Sequence, residues 1–139
     1  MYYKSFNQDL KCRNFQYTLG EMYTLEGDLK ICERGFHFCK TAADTFRYYQ
    51  DRICVVEPLG KVIKEEDKLA TDKIKIVKEL SKRQVRSVIK KQEDAVINNG
   101  DMEEVRLFAE NVKVAYVQRL EDVLIENGDM DEVRLFAGN

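Results

Sequence analysis

Residues 73–85 read KIKIVKELSKRQV, and this stretch decides the fold class because the spacing of its apolar residues changes at position 81. Before that position isoleucines alternate with lysines, which is typical of a strand with one face in water. After it, Ser81 and Gln84 form the pattern of a capping box, which begins a helix. The stretch therefore predicts an α+β chain, with an antiparallel β-rich domain over residues 1–80 and a helical segment over residues 81–139.

The helical segment contains an internal repeat. Residues 98–111 (NNGDMEEVRLFAEN) match residues 126–139 (ENGDMDEVRLFAGN) at eleven of fourteen positions, with an offset of 28 residues. A period of this length suits one helix pair per unit, and each pair buries its apolar face against its neighbour. We therefore expect four helices in two hairpins, one in each of the units 84–111 and 112–139.

Residue types also mark the helix ends within the first unit. Gly100 is expected to end the first helix in the left-handed conformation, which glycine adopts without a steric penalty. Asp101 is expected to cap the next helix, because its carboxylate can accept hydrogen bonds from the first backbone N–H groups. The first hairpin is expected to pack on the β-rich domain.

Short alternating stretches fill the first 80 residues, which also hold eleven of the fourteen aromatic residues. The predicted strands are Tyr2–Phe6, Phe15–Leu19, Met22–Leu25, Leu29–Cys32, Phe36–Cys39, Ile53–Glu57 and residues 74–80. Ile53–Glu57 is an almost continuous apolar run, typical of a central strand. Thr41 and Asp44 predict the N-cap of one short helix. Residues 61–72 are charged and are predicted to form a loop or an edge hairpin.

Charge is unevenly distributed along the 139 residues, although the net charge is only -2. Residues 81–92 carry five basic side chains and no acid, whereas residues 93–139 carry twelve acidic and four basic side chains. The acidic end is either a solvated helical face or a surface for a basic partner. The sequence contains no apolar run of about 18 residues and no signal-peptide pattern, so it predicts a cytoplasmic protein with no membrane partner.

Four cysteines, Cys12, Cys32, Cys39 and Cys54, lie in the β-rich domain together with His37, the single histidine. A cytosolic chain keeps its thiols reduced, so free buried thiols are expected, with Cys54 a small core residue. A zinc site or a reactive thiol are the alternatives, but the paired short spacings typical of zinc sites are missing. The sequence thus predicts no metal and no cofactor.

No motif for phosphate-loop, nucleophile-elbow or zinc-hydrolase chemistry is present, and no catalytic residue is predicted. Glu57 is a candidate acid only by its position after the central strand. Basic and aromatic residues do interleave over residues 11–17 (KCRNFQY). Together with Lys4 and Arg47 they are candidates for an anion or nucleotide patch, the alternative being an ordinary amphipathic strand.

Residues from about Tyr3 to Ser81 resemble an uncharacterised domain family of phages and prophages. The stretches that carry the resemblance are Lys4–Phe6, Asp9–Tyr17, Gly35–Cys39, Val56–Gly60 and Ala70–Ile76. The 28-residue units are similar to helical repeats that follow such domains in phage proteins. This resemblance implies a phage or mobile-element protein that works in the cytoplasm of a bacterial host, and it brings no established activity.

The order of elements also resembles the core of ADP-ribosyltransferase-like domains, in which a first strand is followed by an aromatic strand, a tyrosine-bearing helix and a Val-Val-Glu strand. This second resemblance implies a pocket lined by His37, by Tyr48 or Tyr49, and by a carboxylate such as Glu57. Such a pocket would handle NAD or a nucleotide.

Two functions are therefore open at this point. The first is an accessory protein that acts by binding a host protein, for example to antagonise a bacterial defence factor such as a CRISPR effector. The alternative is an ADP-ribosyltransferase-like enzyme. Nucleic acid binding is a weaker option, and a homodimer through the C-terminal repeat is another. The candidate binding residues are Lys11, Arg13, His37, Tyr48, Glu104, Asp129, Asp131 and Glu132.

Overall fold

The computed structural model describes residues 1–31, 33–66 and 68–112. In chain order its elements are β1 (Tyr2–Phe6), β2 (Lys11–Cys12), β3 (Phe15–Gln16), β4 (Met22–Thr24), β5 (Phe36–Phe38), α1 (Ala42–Thr45), β6 (Arg52–Pro58), β7 (Val62–Glu65), β8 (Lys68–Thr71), β9 (Lys73–Glu79) and α2 (Lys82–Asn99). A further helix, α3, covers residues 102–112. The predicted α+β class, with an antiparallel β-rich N-terminal region and helices after it, is confirmed.

The larger sheet has the strand order β1-β6-β9-β4, and its neighbouring strands are antiparallel. Strand β6 lies inside the sheet, as its apolar run predicts. Its successive side chains point to opposite faces of the sheet and pack in different core clusters. Cys54 and Val56 pack in one core cluster, whereas Ile53 and Val55 pack in a second. Both faces of β6 are therefore covered, and the larger sheet separates two hydrophobic cores.

The smaller sheet has the order β5-β8-β7. The hairpin predicted within residues 61–72 is present as β7 and β8. Strand β8 is not at the edge, however, since it lies between β5 and β7 and Leu69, Ala70 and Thr71 are buried. Its apolar character is hidden in the sequence by the charged residues on either side.

The two core clusters lie on opposite sides of the larger sheet. The first is between the sheets and includes Phe6, Tyr17, Phe36, Val56 and Ile74. The second lies under the helices and includes Tyr3, Phe46, Val55, Ile89 and Val112. The second cluster confirms that the first helical hairpin packs on the β-rich domain.

The helix ends follow the predicted chemistry. Ser81 and Gln84 form both hydrogen bonds of the capping box, at 3.1 and 2.8 Å. Gly100 ends α2 with a φ of 76°. The Asp101 carboxylate accepts hydrogen bonds from the next helix at 3.0 and 3.3 Å. Thr41 caps α1 by accepting from the Asp44 amide.

Two strand predictions differ from the structure. The strand predicted over Leu29–Cys32 is wrong for its described residues, 29–31, where Lys30 forms only an isolated bridge with Arg34. The strand predicted over Phe15–Leu19 ends at Gln16, because Tyr17 turns inward and packs edge-on against Phe6. The second repeat unit lies outside the described residues apart from Val112, so the four-helix arrangement stays a prediction. Within the described part of the chain, no helix has the length and apolar character needed to cross a membrane.

Candidate functional site

A pocket of about 280 Å³ lies at the outer edge of β1, where the β2–β3 hairpin, β5 and the end of α1 meet. We call it the Lys4 pocket. Its lining consists of Lys4, Ser5, Cys12, Arg13, His37, Phe38, Cys39, Arg47, Tyr48 and Tyr49. Three of these side chains are basic, and none of the described residues that line the pocket is acidic. A concave surface with this charge attracts anions.

Lys4 lies in the pocket because β1 is covered on both faces of the larger sheet. Both faces of β1 are covered, with Phe6 in the core between the sheets and Tyr3 in the core under the helices. Lys4 shares its face with Phe6, because side chains alternate along a strand. As a result only 4% of Lys4 is exposed, which is unusual for a lysine.

The amine of Lys4 is held by a backbone oxygen. Its Nζ donates a hydrogen bond of 2.6 Å to the carbonyl oxygen of His37 on β5, and the Cys12 thiol favours the charged form of the amine. The Nζ also lies 5.5 Å from the ring centre of Tyr17 and 5.9 Å from that of Phe6. No carboxylate forms an ion pair with Lys4 among the described residues.

Burial without a counter-ion disfavours the charged form of this amine. Desolvation lowers the pKa of Lys4, and the nearby Arg13 lowers it further, while Cys12 and Cys39 oppose the shift. Burying an ammonium costs several kcal/mol, whereas a cation over an aromatic ring offsets roughly 0.5–2 kcal/mol. Desolvation therefore dominates, and the pocket contains a lysine that is either neutral or in need of an anion.

Arg13 reaches the pocket from the β2–β3 turn. The two turn residues, Arg13 and Asn14, have φ values of 52° and 65°, the left-handed conformation that two-residue hairpins require. This conformation suits Asn14 but costs about 1 kcal/mol at an arginine. The turn is anchored by a 3.0 Å hydrogen bond from the Arg13 backbone N–H to the Tyr49 hydroxyl.

The third side of the pocket is the chain after α1. The Arg47 guanidinium lies 5.6 Å from the ring centre of Tyr48, which is 41% exposed. Ser5 fixes this segment, since its hydroxyl donates to the Thr45 carbonyl at 2.8 Å and accepts from the Tyr49 amide at 3.2 Å. The segment thus presents a guanidinium beside an accessible aromatic face.

His37 is neutral at pH 7 in this setting. Burial lowers its pKa to about 4, and the positive charges of Lys4, Arg13 and Lys68 act in the same direction. A neutral imidazole can both donate and accept a hydrogen bond. His37 therefore adds a polar contact to the pocket without adding charge.

The thiols have two different environments. Cys12 and Cys39 line the Lys4 pocket, whereas Cys54 is fully buried and its pKa is raised to about 12 by desolvation. The core position predicted for Cys54 is confirmed. Cys32, one of the ligands in the zinc alternative, lies outside the described residues. Among the residues that are described, no group of three or more His, Cys, Asp and Glu side chains is placed to hold a metal ion.

The candidate residues from the sequence are only partly brought together. Arg13, His37 and Tyr48 line one pocket with Lys4 and Arg47, whereas Lys11 is half-buried on β2 and is not part of the lining. Glu104 lies on α3 beside a second cavity, between α1 and the two long helices. Asp129, Asp131 and Glu132 lie outside the described residues. Glu57 is exposed and lies opposite Lys75 in the register of β6 against β9. It is not among the residues that line the pocket.

Sequence reasoning missed the contributions of Ser5, Cys12 and Cys39. These residues line the pocket because of where the fold places them, not because of their residue types. The bridge between Tyr3 and Cys39 holds the end of β5 against the edge of β1. Pairing of this kind joins residues that are far apart in the chain. No local pattern in the sequence encodes it.

The fold and the pocket define a small α+β domain with a basic, partly aromatic ligand-sized cavity, followed by helices. A family model described as "Domain of unknown function (DUF7666)" matches residues 1–88, and the chain belongs to this family. The match contains every residue that lines the Lys4 pocket and extends into α2. Neither the curated proteins nor the solved structures include a match to the chain.

Proposed function

We propose that the β-rich domain binds a small anionic molecule in the Lys4 pocket. The observation that carries this proposal is the convergence of Lys4, Arg13 and Arg47 on one cavity whose described lining holds no carboxylate. Phosphate and carboxylate groups pair well with guanidinium groups, which offer a planar fork of donors. The exposed ring of Tyr48 supplies a stacking surface, so a phosphorylated compound with a planar ring, such as a nucleotide, is the favoured ligand class.

The proposal covers binding and leaves out cleavage of NAD. Breaking a glycosidic bond commonly relies on a carboxylate that stabilises positive charge on the sugar. Glu57 does not line the pocket, and the described lining offers no other acid. An ADP-ribosyltransferase-like activity therefore lacks the group that its chemistry needs at this site, although a nucleotide ligand fits the charge.

Calorimetric titration with ADP, inorganic phosphate and adenosine tests the proposal. We expect ADP to bind, phosphate to bind more weakly and the uncharged adenosine not to bind. Arg47→Gln and Arg13→Gln each remove one charge and should weaken ADP binding roughly tenfold or more, since a charge-assisted hydrogen bond contributes about 1.5–3 kcal/mol. Arg83→Gln on the exposed side of α2 is the matched control. Equal binding of ADP and adenosine, or unchanged affinity in both variants, would contradict the proposal.

Protein binding through the helical region is a second candidate function. It is supported by exposed apolar side chains on α2 and α3, with Ile97 56%, Met102 74% and Leu107 49% exposed, beside the acidic Glu103 and Glu104. In this proposal the chain is a phage or mobile-element accessory protein whose repeat contacts a host protein in the bacterial cytoplasm. A defence factor with a basic surface, such as a CRISPR effector, is a suitable partner.

Co-purification from bacterial lysates tests this second function. A double charge reversal, Glu103→Lys with Glu104→Lys, should abolish recovery of a stoichiometric partner. Glu26→Lys on the β-rich domain is the matched control and should retain it. If size-exclusion chromatography with light scattering instead gives a dimer that the charge reversal dissociates, the surface serves self-association.

A further inference from the structure

Lys4 combines features that suit a second role beyond countering an anion. It is 4% exposed, it lines the cavity, and one oxygen, the His37 carbonyl, holds its Nζ at 2.6 Å. A protonated amine has three donors, yet its other close neighbours are a thiol and two aromatic rings. A neutral amine needs fewer acceptors, so this environment suits the neutral form.

A neutral, desolvated lysine amine is a nucleophile toward carbonyl carbon. The cavity of about 280 Å³ has room for a small ligand, and Lys4, Arg13 and Arg47 all line it. These guanidinium groups suit the anionic end of a small carbonyl compound. The surroundings thus pair a nucleophile with a site for negative charge.

We propose that Lys4 forms an imine with a small anionic aldehyde or α-keto acid bound in the Lys4 pocket. This inference rests on the anion-binding function proposed above. In the step, the Lys4 nitrogen forms a bond to the carbonyl carbon, the carbonyl π electrons move to the oxygen, and that oxygen takes one of the two amine protons by way of solvent. The resulting hydroxyl takes the second amine proton and leaves as water with the electron pair of the carbon–oxygen bond, while the nitrogen lone pair forms the carbon–nitrogen double bond. No oxidant or reductant is required.

Reductive trapping on the full chain tests this step. The protein is incubated with glyoxylate and cyanoborohydride at pH 7, and modified lysines are mapped by peptide mass spectrometry. Fragment ions separate Lys4 from the amino group of Met1. We expect Lys4 to react at least about tenfold faster than the exposed Lys40, since Arg13 and Arg47 in the same cavity place the glyoxylate carboxylate near the amine, and the lowered pKa of Lys4 favours the neutral amine. Inorganic phosphate should protect Lys4 by competing for the guanidinium groups.

Variants separate this inference from anion binding itself. Arg47→Gln should slow trapping of glyoxylate at Lys4 more than trapping of the uncharged acetaldehyde, whereas Arg83→Gln on the exposed side of α2 should change neither. Trapping of Lys4 no faster than Lys40 in the unaltered protein would overturn the imine proposal, whatever the variants do. If ADP still binds in that case, only the imine step fails. If neither ADP binding nor trapping is observed, both proposals fail together.

Discussion

The Nζ of Lys4 donates a 2.6 Å hydrogen bond to the backbone carbonyl of His37, and this contact links β1 to β5 across the two sheets. The same pair is coupled through charge, because Lys4 contributes to lowering the pKa of the His37 imidazole. The two residues therefore fix both the shape and the electrostatics of the pocket. Substitution of either residue should therefore change the free energy of unfolding and its dependence on pH.

Lys4→Met should stabilise the protein at pH 7. Methionine fills a similar volume without the desolvation cost of an amine, and the loss of the hydrogen bond to His37 offsets only about 1 kcal/mol. Replacing buried ionisable groups by well-packed apolar residues of similar volume is often neutral or stabilising by roughly 1–4 kcal/mol, so we expect a net gain of roughly 1–2 kcal/mol. Urea unfolding at pH 7, compared by midpoint at an unchanged slope, measures the gain.

This gain should shrink as the pH rises. The pKa of Lys4 is lowered in the folded state, so the unfolded chain binds more protons between that lowered value and the ordinary value of about 10.4. The free energy of unfolding of the unaltered protein should therefore rise with pH in this range, while that of Lys4→Met should not show this rise. Lys40→Met at an exposed lysine is the matched control. A constant difference from pH 7 to pH 10 would contradict the lowered pKa.

His37 should make the protein sensitive to mild acid. Its pKa is about 4 in the folded state, below the ordinary value of about 6.5. Between these values the unfolded chain binds more protons, so the free energy of unfolding should fall as the pH drops from 6.5 to 4. The expected loss is on the order of 1 kcal/mol, because the ring is partly in contact with water. His37→Gln should remove this part of the pH dependence.

Because His37 is the single histidine, its titration can be followed directly by NMR. We expect an apparent pKa near 4 without ligand and a higher value in excess phosphate, since a bound anion favours the imidazolium. The Arg47→Gln variant should show a smaller increase in phosphate. A titration at the ordinary value without ligand would show that the pocket is open to water.

Local chemistry explains which parts of the fold could be predicted from the sequence. The capping box of Ser81 and Gln84 and the left-handed Gly100 depend on neighbours within four residues, and both were predicted correctly. The alternation of isoleucine and lysine in β9 likewise indicates, from neighbouring residues alone, which face of that strand is in water. The burial of Lys4 was not predictable in this way, because it depends on β5 lying against β1 from more than 30 residues away.

The candidate site was predicted as a set of residue types rather than as a cavity. Lys4, Arg13 and Arg47 were grouped as an anion patch from their charge and aromatic neighbours, and they line one pocket. Glu57 was grouped by its position after the central strand, yet the register of β6 against β9 places it opposite Lys75. Register between strands is set by packing of the whole sheet, which a single strand's sequence does not encode.

Ile89→Ala should destabilise the whole described unit rather than α2 alone. Ile89 is 5% exposed and packs in the cluster that joins the helices to Tyr3, Phe46 and Val55. Truncating a buried isoleucine costs roughly 2–5 kcal/mol, partly through the cavity that is left. Circular dichroism for the helices and tyrosine fluorescence for the β-rich domain should lose signal in one shared transition at a lower midpoint. Val105→Ala, a half-buried position on α3, should cost less.

The Arg52–Glu79 pair should show measurable coupling. Its two hydrogen bonds, of 2.9 and 2.5 Å, join β6 to β9 in a bidentate arrangement, with both side chains about 30% exposed. A double-mutant cycle with Arg52→Gln and Glu79→Gln should give a coupling energy of about 1 kcal/mol, less in high salt. Arg52→Lys should lose most of this coupling, because an ammonium cannot form both hydrogen bonds. A coupling energy smaller than the experimental error would show that this ion pair contributes no measurable stability, as is common for solvent-exposed pairs.

Arg13→Gly should separate stability from binding. Arg13 has a φ of 52°, which glycine adopts without the steric cost, so the substitution should stabilise the turn by up to about 1 kcal/mol. The backbone N–H that donates to Tyr49 is retained, but the guanidinium is lost from the pocket, and ADP affinity should fall. Arg13→Ala keeps the strained turn and loses the same charge, so it should bind ADP as weakly but be less stable than Arg13→Gly. If Arg13→Gly instead binds ADP as well as the unaltered protein, the arginine's strained position serves no ligand, and the anion site must be sought at Lys4 and Arg47 alone.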